Sequence, residues 1–318
     1  MNMTKLRSNL ILVTTALIWG FAFVAQSVGM EFVGPFTFNS VRSLLGAVVL
    51  LPCIALLDKL NKRNSFNIDS SRENASDRGA FDEKKNNRED KKTLFVAGIL
   101  CGLALFVASS LQQQGIMYTT VGKAGFITSL YIIIVPFIGV FFKRKIPGLI
   151  WLSTAIAMVG MYLLCITENF TIGKGDLLIL ACAVVFSVHI LIIERYSSLV
   201  DGVRMSCIQF FTCGILSAIP MLIIEKPQLS VILSAWAPIL YAGVLSCAVA
   251  YTLQIIGQKN TSAPVASLIL SLESVFSVLA GWIILGQTLT ARELLGCALV
   301  FCAIVLAQWP GPVPVTRD

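Results

Sequence analysis

Three ionisable side chains stand inside long apolar stretches of this chain: Arg42, His189 and Glu273. On insertion scales a charge at the centre of a bilayer costs roughly 2.5 to 3.5 kcal/mol, so such groups turn toward a bundle interior or a water-filled path. A guanidinium there can hold an anion, a carboxylate a cation or a proton, and an imidazole can relay protons. Blander roles compete. Arg42 lies about five residues into its run and can snorkel to the surface. Glu273, about nine residues from either end of its run, can simply tie helices together, and a lone histidine is more often a packing residue than a relay. Trp19, Phe21 and Phe23 offer aromatic faces, and Gln112, Gln113, Gln114 and Gln254 offer amides for a cavity wall. Tyr131 is the further polar candidate, and Pro136 removes a backbone N–H from the middle of its run, which makes it a hinge candidate.

The elements that position these groups follow from composition. The chain has 318 residues, 56% hydrophobic and 13% charged, with a mean hydropathy of +0.83. Soluble domains carry roughly 25% charged residues, so this much apolar surface calls for lipid. Apolar runs occupy 10–30, 37–57, 94–112, 124–142, 149–166, 177–193, 205–224, 239–256, 264–285 and 294–309, each near the roughly 20 residues a helix needs to cross hydrocarbon. The expected fold is therefore all-α, with ten transmembrane helices. The net charge of +7 does not mark a nucleic-acid stripe, because ten of the 24 Lys and Arg fall within Asp58–Lys92, interleaved with eight acids. That segment reads as a disordered cytoplasmic loop. Nine cysteines, all inside apolar runs and without CxxC spacing, suggest neither disulfides nor a metal site.

Basic residues set the orientation. With the N-terminus in the cytoplasm, inner segments hold 19 Lys and Arg and outer segments four. Repetition is more informative. A shift of 142 residues sets Leu103, Val107, Ala108, Leu111, Gln112, Gly115, Thr119, Ala124, Ile127, Ser129, Leu130 and Gly139 on identical residues between Leu245 and Gly281. Earlier helices align at 167 or 168, as with Leu10 and Leu177 or Gly46 and Gly214. Five helices per half is an odd number, so the halves, 1–167 and 168–318, are expected to be inverted repeats. Tyr131 is the equivalent of Glu273, and Phe210 that of Arg42.

Several stretches then carry a family likeness: Ala16–Val24, Pro35–Arg42, Tyr118–Leu130, Ala266–Phe276 and Gly281–Gly286. In this order they resemble the drug/metabolite transporter superfamily, in particular its EamA branch of ten-helix exporters and permeases. The likeness covers everything but the second loop, and arginine is usual at the position of Arg42. Two residues depart from the family pattern, Ser274 where proline is common and Gln287 where glutamate is. The resemblance implies a secondary transporter in a bacterial cytoplasmic membrane, with both termini inside.

Composition leaves little to build an enzyme from, since one histidine and one deep carboxylate make no catalytic constellation. No cofactor or metal is expected. The expected partners are a small-molecule substrate, an amino acid or an amphipathic compound, and the lipid bilayer, without nucleic acid. A proton as coupling ion and a homodimer stay open, as does a non-transport role as a membrane enzyme or sensor. Reporter fusions at residue 75 and at the C-terminus should both report cytoplasm, while fusions near 170 and 227 report the outside; an odd number of crossings between 75 and the C-terminus would refute ten helices.

Overall fold

The computed structural model describes residues 3–69, 79–119, 121–165, 172–285 and 290–308. Among these the chain is helical, without strands. In order, the helices are α1 (Met3–Gly29), α2 (Pro35–Asp69), α3 (Gly79–Ile116), α4 (Val121–Thr128), α5 (Tyr131–Phe141), α6 (Gly148–Cys165), α7 (Lys174–Tyr196) and α8 (Gly202–Pro220). A π-helical turn, Met221–Glu225, precedes α9 (Leu229–Ser234) and α10 (Trp236–Leu240). A longer π-helical stretch, Tyr241–Tyr251, leads into α11 (Thr252–Gln258), followed by α12 (Ala263–Leu270), α13 (Leu272–Leu285) and α14 (Ala291–Ala307).

Every apolar run coincides with one helix or with helices in direct succession. Eight of these units, within the described residues, are long and apolar enough to cross a membrane. The apolar stretch Gly148–Leu163 of α6 is shorter, and α14 has 17 residues. The 58–92 segment departs from expectation, because the backbone of α2 stays helical to Asp69 and α3 begins at Gly79. Lys, Arg and Glu are good helix formers, and extending an existing helix avoids the cost of nucleation. Residues 70–78 and Gln287 lie outside the described residues.

Two apolar runs read as single helices are each interrupted once. Between α4 and α5 the backbone turns to i→i−3 bonds, with Leu130 N–H donating to Ile127 O and Ile132 N–H to Ser129 O. Between α12 and α13, Ser274 N–H likewise donates to Ser271 O. Serine explains both sites, since its hydroxyl competes for backbone groups and weakens the α ladder. Ser271 Oγ donates to Leu268 O at 2.7 Å, and Ser129 and Ser274 join their hydroxyls across the two breaks at 2.6 Å. Pro136 is not at the interruption; it lies buried inside α5.

Helix starts and ends are fixed by polar groups. Pro35 opens α2, where a missing N–H costs nothing. The next two amides are held by Glu225, which accepts from Phe36 N at 2.9 Å and Thr37 N at 2.7 Å. Asp176 near the start of α7 accepts from Gly173 N and Thr119 Oγ1, both at 2.8 Å, and pairs with Lys123 at 2.5 Å. Glu194, at the other end of α7, accepts from Ala263 N at 2.8 Å and pairs with Arg144.

Packing recurs between the halves. α2 lies on α8 and α6 on α14; α1 packs on α13 as α7 does on α4 and α5; α3 packs on α7 as α11 does on α1. Glycine makes the last pair of contacts close, as it does throughout membrane bundles. A Cβ on Gly115 would meet Ile179 at 2.5 Å and Gly175 O at 3.0 Å; one on Gly257 would meet Leu12 at 2.8 Å and Ser8 O at 3.2 Å. These four neighbours are themselves equivalents at an offset of 167. Gly115→Val and Gly257→Val should each lose about 1–3 kcal/mol to overpacking. Gly148→Ala, with nothing within 4 Å of its new methyl, should be silent. Denaturation midpoints in detergent would check the three variants.

Candidate solute-binding site

Where the two helix interruptions meet, the bundle encloses a cavity of about 40 Å³, room for a few water molecules. Helical spacing brings its walls together. Trp19, Phe23 and Gln26 occupy one face of α1, and Phe186, His189 and Ile190 one face of α7. Arg42 comes from α2 and Gln112 from α3. The interrupted helices supply Thr128 and Tyr131 from one break and Leu270 and Glu273 from the other, while Ser246, Tyr251 and Gln254 close the remaining side.

The structure thus brings eight sequence candidates, Arg42, Glu273, Tyr131, Trp19, Phe23, Gln112, Gln254 and His189, to one cavity. Phe21, Gln113 and Gln114 do not line it. Sequence reasoning missed Gln26, Thr128, Phe186, Ile190, Ser246, Tyr251 and Leu270. A signal for some of them existed. The offset of 167 carries Trp19 onto Phe186 and Phe23 onto Ile190, and the offset of 142 carries Thr128 onto Leu270.

The polar groups are held in distinct ways. Glu273 is 4% exposed and accepts a hydrogen bond from the Tyr131 hydroxyl to Oε1 at 2.9 Å. Arg42, 6% exposed, stacks over the Phe38 ring with 5.3 Å between guanidinium and centroid. The two do not form an ion pair: ion pairs among the described residues are Lys123–Asp176, Arg144–Glu194 and Arg204–Asp58. Depth along a helix says nothing of azimuth, and each group is claimed by its own neighbour, Glu273 by Tyr131 and Arg42 by Phe38. His189 Nε2 lies 3.1 Å from Gln209 Oε1. Gln112 Nε2 donates to Thr128 Oγ1 at 3.3 Å.

Other polar atoms of the wall have no partner within the protein: Trp19 Nε1, Gln26 Oε1, Arg42 Nε, His189 Nδ1 and Gln254 Oε1. Unpaired buried groups of this kind cost about 1–3 kcal/mol each, which water or a polar solute recovers. Aromatic surface completes the chamber. The Tyr251 ring touches Trp19 at 4.6 Å, Phe210 at 5.3 Å and His189 at 5.9 Å between centroids. The wall thus carries one cationic group, Arg42, and one carboxyl group, Glu273, among aromatic surface. Among the described residues no cluster of His, Cys, Asp and Glu has the makings of a metal site.

The sequence model of the EamA-like transporter family matches residues 6–166 and 173–309. The chain belongs to that family. Relatives of this EamA-like chain include an uncharacterized transporter of Archaeoglobus fulgidus, 29% identical over 310 residues, covering 96% of this chain and 86% of the relative. Another, from Clostridium kluyveri, is 24% identical over 293 residues, 89% of this chain and 85% of its own length. A solved crystal structure, 18% identical, superimposes with a TM-score of 0.69 over 95% of this chain and 96% of that one, so the fold is shared. The EamA-like chain is a multi-pass membrane protein with a transport role.

Tyr251 is the ring on which the aromatic wall converges. Tyr251→Ala should cost about 3–5 kcal/mol, as large aromatic truncations in cores do, while Tyr251→Phe should keep most of that stability. Thermal unfolding in lipid nanodiscs separates the two.

Proposed function

We propose that this EamA-like chain is a secondary transporter, an exporter or permease, that carries a small solute through the central cavity by alternating access. In this reading ten helices cross a bacterial cytoplasmic membrane as two inverted halves, with both termini inside. The observation that carries it is the cavity wall. Five pairs of wall residues are equivalents under the sequence offsets: Trp19 with Phe186, Phe23 with Ile190, Gln112 with Gln254, Thr128 with Leu270 and Tyr131 with Glu273. A chamber built from matching positions of two halves can open toward either side by exchanging their conformations. The recurring glycine contacts and the interruptions at Ser129 and Ser271 support the same reading.

The solute is read from what the pairs do not share. Arg42 suits a carboxylate, Glu273 an amino group, and Trp19, Phe23 and Tyr251 an apolar body, so the best fit is a zwitterion of amino-acid size. Multiply charged anions fit poorly, because Arg42 is the only cation in the wall. The test is a panel of radiolabelled amino acids and amines in proteoliposomes. Glu273→Gln and Arg42→Gln should each fold and lower transport of the preferred solute at least about tenfold, the loss of one charged hydrogen bond of 1.5–3 kcal/mol. Wild-type rates in both variants would refute the site.

A further inference from the structure

We infer that Tyr131 and Glu273 form a proton-binding site on the axis relating the two halves, where a proton and the cationic group of the solute compete for one carboxylate. The inference rests on the carrier reading above and adds the coupling ion to it.

The geometry begins with the bond itself. Tyr131 and Glu273 are separated by 142 residues, the offset that relates the halves, and are joined at 2.9 Å. A residue in contact with its own equivalent lies astride the axis, and such a contact maps onto itself when the halves exchange conformations. Off-axis contacts do not. Gln112 Nε2 donates to Thr128 Oγ1, but the equivalent pair is Gln254 with Leu270, whose side chain has no acceptor. The Tyr131–Glu273 bond is therefore a contact the two states have in common, so its carboxylate can face one side and then the other.

Charge balance decides what it binds. Glu273 is the only carboxylate in the wall, is 4% exposed, and has no cation within ion-pair distance. The donors that face it, the Tyr131 phenol and the Ser129 hydroxyl, are neutral. A buried carboxylate without a counter-charge is neutralised by a proton or by a ligand's cation, and the two compete for the same oxygens. The titratable groups around it are Tyr131 of α5, Cys182 and His189 of α7 and Tyr251 of the π-helical stretch, with the Arg42 charge of α2 across the cavity. His189 is turned to Gln209 and is not bonded to Glu273. The walls from α1, α3, α4, α11 and α12 add only aromatic, amide, hydroxyl and aliphatic groups. In the exchange step a proton from the solvent of the releasing side bonds to Glu273 as the solute's cationic group leaves there, and that proton passes to the solvent of the other side when the next solute's cationic group displaces it.

Two measurements test this on the full chain. Infrared difference spectra of the protein in nanodiscs, recorded from acid to alkaline pH, should show a protonated-carboxyl band that is lost as pH rises and is absent in Glu273→Gln. Tyr131→Phe should keep the band but move its titration by about half to one pH unit, the worth of one hydrogen bond. A band that is unchanged in Glu273→Gln overturns the assignment, as does one whose titration ignores Tyr131→Phe. In proteoliposomes, wild-type protein should accumulate its preferred radiolabelled amino acid or amine, added outside, when the lumen starts more acidic than the outside, and should only equilibrate it at equal pH. Equilibration at equal pH without any response to the gradient would overturn the proton site and leave the carrier reading standing. Failure to move any solute of the panel would count against the carrier reading, and the infrared arm would still decide the proton site.

Discussion

A carboxylate and a guanidinium cannot face hydrocarbon, and that prohibition organises the bundle. With no water in the lipid core, the polar side chains of the spans have to find one another or share a wet interior. Here the deep ones converge where four helical segments end within one layer: α4, α5, α12 and α13 all terminate beside the serines at 129, 271 and 274. Tyr131 and Glu273 meet at these interruptions, and the hydroxyls of Ser129 and Ser274 join the two broken helices. Close packing by glycine and the chemistry of the cavity thus use different residues of the same helices.

Conserved geometry between the halves is carried by small and apolar residues, and difference is carried by the wall. Gly115 and Gly257 meet equivalent partners, but Trp19 corresponds to Phe186, Thr128 to Leu270 and Tyr131 to Glu273. The packing residues thus repeat between the halves while the chemistry of the wall does not.

Much of this was legible in the sequence because hydropathy and charge act at the level of single residues. Arg42, His189 and Glu273 stood out against apolar neighbours, and the offset of 142 residues identified Tyr131 as the counterpart of Glu273. What stayed hidden depends on angle rather than depth. The rotational positions of α2 and α13 decide that Arg42 rests on Phe38 while Glu273 meets Tyr131, and no hydropathy profile contains them. Tyr251 escaped because an aromatic residue in an apolar run has the same signature whether it faces lipid or a cavity. The breaks at Ser129 and Ser271 were invisible for a related reason: serine is common in membrane helices, and only its hydroxyl's partner distinguishes a break from a packing contact.

The pairing of α2 with α8 has a mechanical consequence. At one end Glu225, just beyond α8, grips the first amides of α2; at the other, Asp58 of α2 meets Arg204 of α8 at 2.5 Å. Between them Ser40 Oγ donates to Gly214 O at 3.0 Å and a Cβ on Gly214 would strike Leu44 at 2.7 Å. Two rods riveted at both ends and meshed in the middle act as a strut. Arg42 stands on this strut and Glu273 does not, so the guanidinium is braced independently of α13.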